Sequence, residues 1–449
     1  MAESGSNKIA RANIEVTVVG AGLAGCEAAW ALVQENFRVR LCEMKPEKRS
    51  PAHQIGGYAE LVCSNSLKAD RLSSAGGLLK AEMRRMGSLL LQIAERCKVP
   101  AGGALAVDRQ EFSRLSTAAI NENPGITVIN GEVTKLPEGP VIIATGPLTS
   151  DALARDIESR FGAGLRFYDA AAPIITADSL DRDKVFSASR YDRGGDDYIN
   201  CPLTKDEYER FYDALTAAQC AGQESFEEGA PKVYEGCMPI EMLAKRGIDT
   251  LRFGPLKPMG LRDPRTGHRP WAAVQLRKEN AAGSLLNLVG FQTNLKFGEQ
   301  KRVFSMIPGL ENASFVRYGV MHRNTFIDSP RLLDHTFALK ADPLTAFAGQ
   351  ITGVEGYMES AMSGIIAAKN LARLLKGQAP VILPPQTMTG ALCAYISDES
   401  VKDFQPMGAN MGLLPPLSER IKPKAQRYEA MADRALRALE EVMQLSYIT

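Results

Sequence analysis

Long apolar runs are missing from this chain of 449 residues, and no stretch approaches the roughly 20 residues needed to cross a bilayer. Met1 to Val16 are polar or mixed and hold neither a secretory apolar core nor an anchor, while the C-terminal segment is charged throughout. The expectation is a cytoplasmic protein with no membrane partner. Paired cysteines are missing too. Cys26, Cys42, Cys63, Cys97, Cys201, Cys220, Cys237 and Cys393 show no CxxC and no metal-like spacing, and a chain of this length does not need disulfides. No metal is expected, and the thiols should be mostly buried. A net excess of charge is also lacking: the total of +1 says little about partners, because a balanced sum can hide local asymmetry. What remains is an ordinary globular composition, 45% apolar and 23% charged, long enough for about two or three domains.

The order of elements predicts an α/β fold. Ile14 to Gly20 is an apolar run ending in glycine, Leu23 to Gln34 has the small and apolar pattern of a helix packed on a sheet, and Phe37 to Leu41 supplies a second strand. Together they form a βαβ unit with Glu43 at the end of its second strand. Apolar residues at three- and four-residue steps from Gly76 to Cys97 predict one long amphipathic helix. Asp108 with Glu111 is a capping-box pattern that starts a helix through about Asn121. Val128-Ile129 and Val141 to Ala144 are short strands, and Ser150 or Asp151 caps a helix to about Arg160. After Gly164 the texture changes to Asp-rich turns and dense Pro and Gly, with a helix capped by Thr204 and Glu207. The reading is a Rossmann-like FAD-binding domain, a doubly wound parallel sheet, with an inserted α+β domain. Its parts are residues 1–164, the insertion 165–310 bounded by Pro308-Gly309, and 311–449. Tyr357 to Leu375 is expected as helix, 378 to 418 as proline-rich irregular chain, and about Ala425 to Leu445 as the last helix.

Gly20-Ala21-Gly22-Leu23-Ala24-Gly25 follows a strand and opens a helix, the context that a lone GxGxxG lacks. Gly20 allows the tight turn, Gly22 lets the backbone approach a pyrophosphate, Gly25 lets helix and strand pack, and the helix N-terminus offers N–H groups to the anion. Glu43 would hold the ribose hydroxyls. FAD is favoured over NAD by the second glycine-ended strand, Ile142 to Gly146, and by the loop carrying Gly349, Gly353 and Gly356 into a helix whose N-terminus would favour an anionic reduced flavin. No second GxGxxG occurs, so NAD(P)H is expected only as a visiting reductant.

Two cysteines stand in unusual settings. Cys63 is followed by polar Ser64, Asn65 and Ser66, and Cys237 lies in a turn made by Gly236 and Pro239, whereas Cys26 and Cys42 fall on core elements. His53 and His322 can stack or relay protons, or be ordinary hydrogen-bonded histidines. From Lys245 to Lys278, nine Lys or Arg face two acids, with Phe253 and Trp271 interleaved. Such a stretch suits a phosphate backbone with bases between the aromatics, and a solvated face is the plain alternative.

Taken with Glu60 to Ser66, Gly236 to Glu241, Gly290 to Lys296, Met321 to Thr325 and Gly349 to Tyr357, the fingerprint at 19–25 makes the whole chain resemble the folate- and FAD-dependent tRNA uracil-5 methyltransferases. The resemblance implies methylation at C5 of the T-loop uridine of tRNA, with carbon from methylenetetrahydrofolate carried and reduced by way of reduced FAD. It also assigns roles. Cys237 becomes the nucleophile, Cys63 a flavin-side thiol that transfers a proton or guards the reactive carbon, His322 and Tyr357 the folate pocket, and the basic window with Arg262, Arg265 and Arg269 the tRNA grip. A ribosomal RNA target, a plain NAD(P)H-dependent flavin oxidoreductase and an RNA-binding module remain the competing readings.

Overall fold

The computed structural model describes residues 14–50, 52–162, 165–192, 195–221, 238–401 and 404–448, without the side chains of 165–170, 192, 322–325 and 445–448. Cys237 and residues 222–236 lie outside the described residues.

The first apolar run forms the strand Glu15–Val19, of which all but the first residue are buried, as a strand covered on both faces must be. It pairs in parallel with Arg38–Glu43 on one side and with Val141–Ile143 on the other. Ile126–Asn130 extends the sheet beyond Arg38–Glu43, and Asp342–Phe347 beyond Val141–Ile143, both in parallel; the short Ala338–Leu339 closes that edge in antiparallel. The strand order therefore reverses at Glu15–Val19, the kind of switch point at which open α/β sheets form a crevice at the carboxyl ends of their strands. Two helices, Leu23–Gln34 and Tyr357–Leu375, pack closely on each other. A Cβ on Gly364 would lie 2.1 Å from the carbonyl oxygen of Ala24, so only glycine permits this approach.

A second, antiparallel sheet has its own apolar core. Its order is Phe186–Ser187, Tyr198–Leu203, Ala272–Lys278, Leu285–Leu288, Ile174–Thr176 and Phe315–Arg317. Helix Lys205–Thr216 carries the capping box expected at Thr204 and Glu207. Phe211, Phe291 and Phe304 meet beneath it, with Phe291 and Phe304 edge to face at 5.2 Å; each buried ring contributes about 1.5–3 kcal/mol. The second sheet takes in Phe315–Arg317, past Pro308-Gly309.

Two expectations about elements are corrected. The span 76–97 is two helices, Ala75–Arg85 and Leu89–Arg96. Gly87 takes φ +84° and Ser88 caps the second helix by accepting from Leu91 N, while the buried Glu27 carboxylate accepts from Leu89 N and Leu90 N, each at 3.0 Å. The stretch expected as irregular after 378 contains a helix, Met388–Ser397, whose first amides donate to the buried Glu82 carboxylate at 2.7 and 2.8 Å. In both places a carboxylate distant in sequence satisfies orphan N–H groups that helix starts leave open.

Candidate active site

A cleft of about 1040 Å³, part of it open to solvent, lies at the carboxyl ends of the parallel strands. Its walls come from every strand end in turn: Val19 and Gly20, Cys42 to Lys45, Gly131 to Val133, Ala144 to Ser150, and Gly349 with Gln350. The fingerprint glycines divide the work. Gly20 has φ +98°, and a Cβ there would sit 2.7 Å from Ala144 O; a Cβ on Gly25 would strike Gly20 O at 1.7 Å. Gly22 is different, since a Cβ on it would meet no protein atom within 4 Å. It faces the open cradle at the start of the Leu23–Gln34 helix, where the backbone N–H groups favour an anion. Leu23 and Ala24 line the same cradle, and Ala21 donates its N–H to Glu43 Oε2 at 2.7 Å. Glu43 Oε1 accepts from Lys45 N at 2.9 Å, so the carboxylate pins both turns while lining the cleft.

A second acid, which sequence reasoning missed, lines the cleft. Glu60 is buried, its Oε1 accepts from Gln54 N and Ile55 N, and its Oε2 accepts no hydrogen bond among the described residues. Lys45 Nζ lies 3.6 Å away and donates to Gly57 O at 2.5 Å. An orphaned, buried acceptor in a cleft with an open pyrophosphate cradle fits a dinucleotide cofactor rich in hydroxyl donors. His53 lines the cleft as well, with Nδ1 2.7 Å from Ser50 Oγ; burial, then the Lys45 charge, lowers its pKa and favours the neutral ring.

The cleft leads to the Cys63 segment through Val62 and Tyr357, both of which line it. Tyr357 is the first residue of its helix, and its hydroxyl oxygen accepts from Cys63 N at 2.7 Å and Ser64 N at 3.0 Å. Burial pushes the phenol far above its usual pKa, so the group stays neutral. Three arginines from different parts of the chain hold the other edge. Arg109 donates to Leu61 O at 2.5 Å and pairs with Glu279, Arg317 donates to Val62 O, and Arg277 donates to Ser64 Oγ and Asn65 Oδ1, each at 2.9 Å. Asn65 Nδ2 in turn donates to Val107 O at 2.9 Å and Lys278 O at 3.0 Å. No disulfide joins the described cysteines, and burial raises the thiol pKa of Cys26, Cys42, Cys97, Cys201, Cys220 and Cys393.

The family model for glucose inhibited division protein A (GIDA) matches residues 15–379. The chain belongs to this family. The methylenetetrahydrofolate--tRNA-(uracil-5-)-methyltransferase TrmFO of Moorella thermoacetica is 57% identical over 424 residues, 94% of this chain and 97% of the relative. The TrmFO of Geobacter sulfurreducens is 58% identical over 427 residues, 95% of this chain and 98% of the relative. Among solved structures, Aquifex aeolicus GidA superposes with a TM-score of 0.68 at 16% identity, covering 95% of this chain and 73% of that one, which shows the shared fold. The chain is thus a TrmFO-type member of the GidA family.

The remaining expected site residues of this family member fall as follows. Gly349 lines the cleft, its N–H donating to Ser363 Oγ at 2.6 Å. Gly353 and Gly356 are not among the lining residues; φ of +83° and +123° and the packing of Phe404 and Glu359 account for glycine there. His322 lies in the strand Met321–Phe326, paired with Asp169, and its side chain is outside the described part. Arg262, Arg265 and Arg269 do not line the cleft. Arg265 holds Asp263 through Nε at 3.0 Å and Nη2 at 2.7 Å, Arg262 donates to Gly267 O, and Arg269 to Met259 Sδ.

Proposed function

We propose that this protein methylates C5 of the T-loop uridine of tRNA, position 54, with methylenetetrahydrofolate as carbon donor and FAD, reduced by NAD(P)H, as carrier and reductant. The observation that carries the reading is the convergence of a dinucleotide cleft on a held cysteine segment in a chain 57% identical to a TrmFO over nearly its full length.

Reduced FAD supplies an acceptor for the one-carbon unit and the electrons that turn it into methyl. The Gly20 to Gly25 turn and its helix N-terminus would hold the pyrophosphate of FAD, and Glu43 and Glu60 would accept from its sugar hydroxyls. Uracil C5 becomes nucleophilic only when a thiolate adds at C6, and we assign that thiolate to Cys237 by its motif. The C5 proton is lost after the new carbon bond forms, and elimination of the thiolate from C6 restores the ring. Cys63 acts beside the cofactor, on a segment that Arg109, Arg277 and Arg317 hold through Leu61 O, Ser64 Oγ, Asn65 Oδ1 and Val62 O. These arginines and Tyr357 are positioning residues. His322 and Tyr357 border the folate side. We place tRNA against the antiparallel-sheet domain, residues 165–310 with the strand Phe315–Arg317, and its Arg262, Arg265 and Arg269 surface. An enzyme acting on tRNA in this way works in the cytoplasm.

The test is transfer of labelled carbon from methylenetetrahydrofolate to an unmodified tRNA transcript with FAD and NAD(P)H. Label at the T-loop uridine, lost in Cys237→Ala with flavin retained, is the expected result. Label on ribosomal RNA alone would move the target, and flavin turnover without labelled RNA would leave a plain oxidoreductase.

A further inference from the structure

Beside the site, three aromatic rings form a ladder whose last ring stands in water. Phe315 packs against the core of the antiparallel sheet. Tyr318 lies 5.3 Å from it at 11° between planes, and Phe297 lies 4.9 Å from Tyr318 at 16°. Phe297 is 56% exposed. Aromatic pairs inside proteins favour edge or offset contacts, and a near-parallel row ending in an exposed face is the arrangement that accepts one more flat ring.

The row is held rigidly. Gln300, fully buried on the Phe297–Phe304 helix, donates to Leu295 O at 2.7 Å and Gly319 O at 2.8 Å and accepts from Gly319 N at 2.8 Å. This clamp ties the helix that carries Phe297 to the turn that carries Tyr318. A Cβ on Gly319 would lie 2.5 Å from Thr293 Cγ2, so the turn has no room to shift.

The ladder also adjoins the Cys63 segment and the helix that starts at Ile240. Tyr318 follows Arg317, whose guanidinium donates to Val62 O in the Cys63 segment. The Gln292 to Lys296 stretch leading into Phe297 receives Ile240 N on Gln292 O at 2.7 Å and gives Asn294 N to Glu241 Oε1 at 2.7 Å. Its charge suits a polyanion. Lys296 and Lys301 are exposed, and the nearby acid, Glu299, is neutralised by Arg302 at 2.6 Å.

We propose that Phe315, Tyr318 and Phe297 form a stacking platform for an unpaired base of the RNA substrate, with Phe297 as the ring that the base covers. The proposal rests on the tRNA reading above and adds the surface that receives the loop. Each base–aromatic stack in single-strand binding is strong enough for its loss to be read directly in affinity.

The experiment compares wild type, Phe297→Ala and Phe297→Trp in binding of an unmodified tRNA transcript across a salt series. Phe297→Ala should weaken binding about 5- to 150-fold with the salt slope unchanged, because no phosphate contact is lost. Phe297→Trp should keep wild-type affinity and show indole quenching on tRNA binding beyond that of wild type, whose Trp30 and Trp271 also emit. Affinity of the alanine variant within about twofold of wild type, a flattened salt slope, or a tryptophan whose emission ignores tRNA would each overturn the platform. Failure of wild type itself to bind tRNA would overturn the reading beneath it, which separates the two.

Discussion

At the scale of single residues, Cys63 is defined by what holds its backbone. The Tyr357 hydroxyl accepts two amides, those of Cys63 and Ser64. Tyr357→Phe would leave both donors without that acceptor, a cost of about 1–3 kcal/mol confined to the segment. We expect methylation in single turnover to fall at least tenfold while the affinity for tRNA stays at the wild-type value; an unaltered rate would remove Tyr357 from the positioning role. The thiols themselves can be ranked. Burial lifts Cys97 and Cys393 to about 12 and Cys26 higher still, whereas Cys63 is only half-buried. Alkylation at neutral pH followed by peptide mapping should therefore modify Cys63 before Cys26, Cys97 and Cys393. Equal protection of all four would sink the proposed flavin-side chemistry of Cys63.

At the scale of elements, the glycines of the first turn separate folding from binding. Gly25→Ala places a Cβ 1.7 Å from Gly20 O and should destabilise the protein with or without flavin, whereas Gly22→Ala meets no protein atom and should remove flavin while the apoprotein keeps its melting temperature. Absorbance of bound flavin and thermal melts of the apo forms decide between these outcomes. Helix starts depend on carboxylates in the same concrete way. Burial raises Glu27 and Glu82 from 4.5 to about 7, even though amides at helix N-termini pull the other way. Between those pH values the folded protein binds more protons than the unfolded chain, so stability from these groups falls as pH rises, by at most about 1.4 kcal/mol per pH unit for each. Glu82→Gln should flatten the melting temperature across pH 4.5 to 7, and an unchanged slope would mean that Glu82 does not titrate there. The helix break at Gly87 did carry local signals, a glycine at positive φ and the Ser88 cap, which the apolar spacing outweighed, whereas the carboxylates that complete this start and that of Met388–Ser397 lie far away in sequence. The apolar spacing runs unbroken through 85–89, and the acid that rewards a new start is Glu27, some sixty residues earlier.

At the scale of the whole molecule, the Cys63 segment is one of the places where the two domains meet, alongside the bonds from Gly102 N to Asp197 and from Tyr198 to Ala101 O. Asn65 reaches Lys278 O, Arg277 returns to Ser64 and Asn65, and Arg109 pairs with Glu279, all across more than 150 residues of sequence. Arg277→Met should keep flavin, which we place in the cleft of the parallel sheet, yet lose methylation, because Asn65 Oδ1 and Ser64 Oγ lose their donor on the antiparallel side. Full activity in that variant, measured by label transfer to tRNA, would show that the bridge is only structural.

The local signals were those set by neighbours in the chain. The glycine spacing at 20, 22 and 25, the caps at Asp108 and Thr204, and the long helix from Tyr357 appear where the sequence pattern put them, while Ser150 precedes its helix without a side-chain cap bond. Such features need only dihedral preference and a side chain a few residues away. Tertiary structure alone decided that Tyr357 holds the Cys63 amides, that Glu60 lines the cleft with an oxygen that faces Lys45 but accepts no hydrogen bond, and that Phe297, Tyr318 and Phe315 align. Those relations join residues from distant strands and helices, and no periodicity encodes them. They exist because two separately built sheets bury their own cores and then share the polar groups left at their common edge.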